Sequence, residues 1–263
     1  IGHVTPAKVE RAVGALKVAA AARRLRRARF GVVGYPCPGM MDVGIDEAEA
    51  QKALGVTAVH LDLDALLKGY QAAPAEEASA AAKRLLSETG GIREGSPETL
   101  TDNLRLYVAM KDLVEENKLD AYCVRCWPEL RDRHKITICA THALMAEDGI
   151  PNSCEVDLPA LVTTWLLNQL AGTPAFNFDV TGYLEEHGAI QFGHCGAAAP
   201  SLAGDPKKTL LRVHMRTGTG ATVEFPFREG EVTLAKLLRP LDGKLKLFTA
   251  RGRVIPVSEG VRG

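Results

Sequence analysis

The 263-residue chain balances 32 lysines and arginines with 32 aspartates and glutamates, and 46% of its residues are hydrophobic. That balance excludes a disordered polyelectrolyte and gives no general reason to expect a nucleic-acid partner, while the length supports a buried core in one large domain or two modest ones. No apolar run approaches the roughly 20 residues that cross a bilayer, so no membrane partner is expected.

Nothing at the start reads as a signal peptide, and a cytoplasmic location is expected. The first residue is Ile1, not Met, and the chain ends on Val261-Arg262-Gly263. Sequence is therefore expected to be missing at one or both ends. Pro6 to Arg27 predicts an amphipathic helix with Val9, Val13, Leu16 and Ala20 on one face. The arginines between Arg23 and Arg29 would lie solvated on the other, a reading preferred over a targeting segment or a nucleic-acid patch.

From there, short apolar runs alternate with helical periodicity, the pattern of a parallel sheet covered by helices. Strands are predicted at Arg29–Gly34, Ala58–Leu63, Asp120–Arg125 and Ala175–Asp179. Helices are predicted at Asp46–Leu54, Glu76–Glu88, Pro97–Asn117, Thr141–Asp148 and Val156–Leu170. Ser96 before Pro97 marks a helix start, with the serine capping and the proline in the first turn.

After about Thr181 the pattern changes to short strand-like runs: Leu210–Arg216, Ala221–Phe227, Glu231–Lys236, Lys244–Thr249 and Val254–Val257. Gly-Thr-Gly, Arg-Glu-Gly, Leu-Asp-Gly and Arg-Gly turns separate them. The fold class expected is α/β, a parallel sheet covered by helices over residues 1–182. A smaller, mostly antiparallel β domain follows over residues 183–263, a partial barrel.

The six cysteines, Cys37, Cys123, Cys126, Cys139, Cys154 and Cys195, are scattered through a chain of ordinary domain size, so free thiols are expected. Cys123-x-x-Cys126 suggests zinc or redox chemistry, but a structural zinc site needs two further ligands, and Cys123 reads as a buried strand residue.

In an open parallel sheet the ligand crevice lies beyond the carboxyl ends of the strands. Gly34–Met41, Cys126–Glu129, Cys154-Glu155 and Asp179 all fall at that edge. Glu155 and Asp157 sit where acidic residues favour a helix start for dipole reasons alone, and Asp179 sits where an aspartate often caps a turn. Glu155 and Asp179 converging in one crevice would form a hard-cation site suited to Mg or Mn. His194, within Phe192-Gly193-His194-Cys195-Gly196, reads as either a hydrogen-bonded structural residue or a ligand, and its flanking glycines permit close backbone approach.

Gly149-Ile150-Pro151-Asn152-Ser153-Cys154-Glu155-Val156-Asp157, a helix, and then Gly172-Thr173-Pro174-Ala175-Phe176-Asn177-Phe178-Asp179 carry a resemblance. The chain resembles the L-fucose isomerase and L-arabinose isomerase superfamily, more closely its smaller fucose isomerase-like members. Supporting matches are Gly34 with Pro38-Gly39-Met40, Asp120-Ala121 to Cys126-Trp127-Pro128, and His194-Cys195-Gly196.

The resemblance implies an aldose–ketose isomerase with a divalent metal, usually Mn2+, held by a glutamate, an aspartate and a histidine. Carried over by motif, the first two are Glu155 and Asp179, which also act in proton transfer through an enediol; Trp127, Gly39 and Met40 shape the sugar pocket. The family histidine comes from far along the β domain, so His194 or a residue outside this chain is the expected third ligand. The resemblance also implies a homo-oligomer, hexamer or trimer, whose neighbouring subunit completes the site, and it places the family's N-terminal domain ahead of Ile1. The substrate is a small sugar: fucose-like, a pentose, another deoxy sugar or a sulfonated sugar. The alternative of another class is a sugar-binding or regulatory module without turnover.

Overall fold

The computed structural model describes residues 5–239 and 244–256. In chain order, α1 (Pro6–Leu25), β1 (Arg29–Val33), α2 (Glu47–Leu54), β2 (Thr57–Leu61), α3 (Leu63–Ala72), α4 (Ala75–Ser87) and α5 (Pro97–Asn103) come first. They are followed by α6 (Arg105–Glu116), β3 (Ala121–Val124), α7 (Cys139–Glu147), β4 (Asn152–Cys154) and α8 (Leu158–Ala171). The four strands form one parallel sheet in the order β2-β1-β3-β4.

Side chains alternate across a strand, so the sheet divides its residues between two cores. Phe30, Val32, Ala121 and Cys123 pack with Leu161, Val162 and Trp165 of α8. Val33, Tyr122 and Val124 face the other way, into a larger core built from α3, α4, α6 and α7. The helix starts follow their capping residues: Thr99 N donates to Ser96 Oγ at 3.2 Å, and Ala160 N donates to Asp157 Oδ1 at 2.7 Å.

Several expected boundaries are corrected. Asp62, the residue before α3, ends β2 early: the strand was expected to run to Leu63, which instead opens α3, a helix the sequence reading did not predict. Pro97–Asn117 is two helices, broken at the buried Leu104. Asn152–Cys154 is a strand despite its polar composition, because it pairs with β3 through backbone groups. Ala175–Phe178 joins no ladder, so Asp179 begins a strand where it was expected to end one. Along α1 only Ala21 and Leu25 are buried, and Leu16 is 69% exposed. Periodicity marked an apolar face, but the body of the protein covers only its last turns.

The remaining strands pair two by two, all antiparallel: β5 (Asp179–Leu184) with β6 (Ala189–Gly193), β7 (Leu210–Arg212) with β8 (Thr222–Glu224), and β9 (Gly230–Leu238) with β10 (Lys246–Val254). No turn forms at Arg251-Gly252: Gly252 lies opposite Val232 inside β10, so two expected strands are one. Val257 and the Leu241-Asp242-Gly243 turn lie outside the described residues. The second and third of these ladders share the cores of the sheet, with Leu211, Val223 and the adjoining Ala221 in the larger and Leu237 in the smaller. Among the described residues no helix is long and apolar enough to cross a membrane.

Candidate active site

The chain passes from β4 to α8 in a very short connection, and it does so by placing Glu155 (φ 66°) and Val156 (φ 61°) in the left-handed region. That conformation costs an L-residue about 1–2 kcal/mol, and a β-branched valine tolerates it poorly. Surrounding bonds hold it in place. Val156 is buried and its N donates to Val124 O at 3.3 Å; Asp157 N donates to Cys154 O at 3.0 Å; Ser153 Oγ donates to Asp157 O at 2.7 Å. A turn this over-determined displays the Glu155 side chain at the carboxyl edge of the sheet, and such strain concentrates at functional positions. Asp157, capping α8, has its carboxyl raised to about 6 by burial.

Trp127 meets this carboxylate. It follows β3 at the start of a helical segment, Cys126–Arg133, with Trp127 itself extended (φ −141°, ψ 155°). Its indole Nε1 donates to Glu155 Oε1 at 3.2 Å. The guanidinium of Arg131 covers the indole ring, 5.4 Å from the centroid, and is itself held by Asp132 through Nε at 2.6 Å and Nη2 at 3.0 Å. The loop after β1 is tied to both residues: Cys37 Sγ donates to Trp127 O at 3.0 Å, and Cys37 N to Glu155 O at 3.4 Å. Gly39 (φ 83°) is exposed on that loop and Met40 is half-buried there, its N donating to Cys37 O at 3.2 Å.

All six cysteines are free thiols. Cys37, Cys126 and Cys154, far apart in sequence, form a hydrogen-bonded chain beside Glu155. The hydrogen bond with Cys126, and then burial, holds the Cys37 thiol well above its ordinary value, so it is un-ionised at neutral pH. Cys123 packs on the opposite side of the sheet and donates to Gly31 O at 3.5 Å, so it makes no common site with Cys126.

The second part of the site comes from the β5–β6 hairpin. Asp179 lies opposite Gly193 in register, which places it next to His194 and Cys195. Gly196 (φ 80°) allows the close approach expected of this segment: a Cβ there would stand 2.8 Å from Thr222 Cβ, and Gly196 O accepts from Val223 N at 2.8 Å. The Phe176 and His194 rings meet edge to face, their centroids 6.0 Å apart. His194 Nδ1 and His142 Nε2 are both buried without a hydrogen-bond partner, and both residues line a cavity of about 10 Å³, about what one water needs. Tyr122 Oη lies 2.9 Å from His142 Nδ1, and burial lowers the His142 pKa to about 3, so its imidazole is neutral.

Cys195 relates the two parts. Burial raises its thiol pKa most; Glu155 and Asp179 raise it further, while Arg216 and Arg131 lower it, so both carboxylates and both arginines act on one point. Two carboxylates and an imidazole with a free buried nitrogen are donor types that suit a hard divalent ion. Among the described residues, however, no three His, Cys, Asp or Glu side chains gather closely enough to hold a metal ion.

No family model matches the chain. It is similar to sulfoquinovose isomerases. Identity to the Priestia megaterium protein is 29% over 255 residues, covering 97% of this chain and 57% of that protein. The Alkalicoccus urumqiensis protein is 27% identical over 268 residues, covering 100% of this chain and 59% of its own length. The chain thus spans somewhat more than half the length of the curated relatives it matches, and the likeness supports a sugar isomerase relationship, distant and partial.

Sequence reasoning missed three features. His142 left a signal, a histidine in the largely apolar stretch Ile138–Met145. The Cys37–Cys126–Cys154 chain left none beyond thiols at or just after the carboxyl ends of strands. Arg131 and Arg216 were indistinguishable from surface arginines until the fold brought them to Cys195.

Proposed function

We propose that the chain carries the reaction centre of an aldose–ketose isomerase acting on a sugar of the sulfoquinovose type. The observation that carries this reading is the strained Glu155 turn, with its carboxylate fixed by the indole of Trp127 at the crevice of the sheet. A carboxylate held at a defined angle is what proton transfer between adjacent carbons requires. Glu155 takes the proton from C2 of an open-chain aldose, the O2 hydroxyl proton passes to O1 through the enediol, and Glu155 returns its proton to C1 as C2 becomes the carbonyl, while Trp127 and the Gly39-Met40 loop orient the chain. Glu155 and Asp179 are also the pair that would hold a divalent cation, Mn2+ by the resemblance, with His194 or a residue outside this chain as third ligand. Such an ion, when bound, would polarise the sugar carbonyl and acidify the neighbouring C–H. Completion of the site by a second copy of the chain in a homo-oligomer belongs to the same proposal.

A second reading, a sugar-binding module without turnover, draws on the absence of three gathered metal donors among the described residues. An aldose–ketose assay and metal analysis of the intact protein and of its Glu155→Gln variant separate the two. Loss of turnover with the fold retained supports the enzyme. Undiminished turnover by the variant rejects Glu155, and sugar binding with neither metal nor turnover favours the module.

A further inference from the structure

We propose that Arg131 and Arg216 form an anion subsite that holds the charged terminal group of an open-chain sugar whose reacting end lies at Glu155. This rests on the isomerase reading and adds to it the residues that select a sulfonated substrate.

The geometry begins with Trp127. One edge of its ring is hydrogen-bonded to Glu155, and its face is covered by Arg131, so the indole separates a negative pole from a positive one. Arg131 is pre-organised: Asp132 occupies Nε and Nη2, which leaves Nη1 unclaimed and fixes the plane of the fork. A fixed guanidinium plane is suited to the oxygens of a sulfonate, which it can meet with charge-assisted hydrogen bonds.

Arg216 supplies the second cation. Its residue is exposed, and its guanidinium makes no hydrogen bond or ion pair among the described residues. The loop bearing it is ordered by bonds from Arg216 N to His214 Nδ1 at 3.2 Å and from His214 N to Thr219 O at 2.9 Å. Both arginines lie within electrostatic range of Cys195 and of His214. Burial, and then these two cations, lower the His214 pKa to about 4, so His214 adds no charge of its own at neutral pH. The result is a polar arrangement across the indole of Trp127, with Arg131 over its face and Glu155 at its edge. A sugar with an anionic tail is drawn in one orientation and repelled in the reverse one, which is how a charge pattern produces specificity.

The test uses the intact protein with Mn2+, and sulfoquinovose and glucose as probes, the second carrying a hydroxyl where the first carries the sulfonate. Arg131→Gln and Arg216→Gln should each lower the sulfoquinovose-to-glucose ratio of kcat/KM by roughly 30-fold. Arg131→Lys, which keeps charge but loses the fork, should fall between, and the exposed neighbour variant Arg133→Gln should leave the ratio unchanged. Calorimetric titration with sulfoquinovose gives a readout that needs no turnover: its affinity should drop in the double variant and weaken with salt in the wild type. If wild-type protein binds sulfoquinovose through these arginines yet never isomerises it, the enzyme reading fails and the subsite stands. If the double variant binds or converts sulfoquinovose as well as wild type, or wild type does not bind it, the subsite is overturned.

Discussion

Glu155 and Asp179 stand on parts of the molecule with opposite mechanical character. Glu155 sits in a strained turn clamped between the sheet, α8 and the loop after β1, and its carboxylate is bonded to an indole. Asp179 starts an exposed hairpin on which Val180 is 70% and Tyr183 63% exposed. One half of the candidate site is therefore pre-organised by the core. The other is delivered by β-ladder register alone and leaves apolar surface uncovered. The contrast teaches that two carboxylates assigned to one candidate site need not be equally rigid, and that the hairpin half is where a substrate, an ion or a second subunit has most to contribute.

The sharpest way to break this contrast is Glu155→Gln, for which turnover should fall about 1,000-fold with no loss of thermal stability, since strain and not packing governs that position. An equal stability loss would mean that the carboxylate is structural. Trp165→Ala, which empties the core beneath the turn, should cost about 3–5 kcal/mol in urea denaturation. A loss below 1 kcal/mol would show the turn to be held without its core.

His142 gives a pH test of the buried side. Its pKa is lowered to about 3 by burial in the fold, against roughly 6.5 in the unfolded chain. Between these values the unfolded state binds the extra proton, so stability falls as pH drops from about 6.5 towards 3, by at most ~1.4 kcal/mol per pH unit. His142→Gln should flatten that part of the profile, and subtracting the variant curve isolates this group from the carboxylates. Parallel curves would mean that His142 is protonated in the fold.

Trp127→Phe removes one hydrogen bond to Glu155 and keeps an aromatic, though smaller, ring. Turnover should fall about 10-fold, in kcat more than in KM. Smallest of all, Tyr183→Ser on the hairpin should change stability by no more than about 0.5 kcal/mol. A larger loss in a dilute sample would reveal that this surface is covered in solution.

Much of the α/β architecture was legible in the sequence because helix and strand periods report burial directly: β1, β2, β3, α2, α4, α7 and α8 lie where apolar spacing put them, within a few residues. Ser96 and Pro97 announced α5 by local chemistry alone. Glu155 was expected at the crevice from its position at the start of a helix, and it stands there in the turn that leads into α8. These are short-range properties, encoded within a few residues of where they act.

Tertiary structure decided the rest. Asn152–Cys154 became a strand because a neighbouring backbone was available to pair with it, which no side-chain pattern announces. The apolar face of α1 stayed largely exposed because periodicity specifies what a helix offers and not what packs against it. The left-handed backbone of Glu155 and Val156 follows from how little chain joins β4 to α8, a distance set by packing. The cavity between His142 and His194, the thiol chain and the gathering of Arg131 and Arg216 at Cys195 join residues tens of positions apart. Only the folded chain brings such side chains close enough for hydrogen bonds and charges, both short-ranged, to act between them.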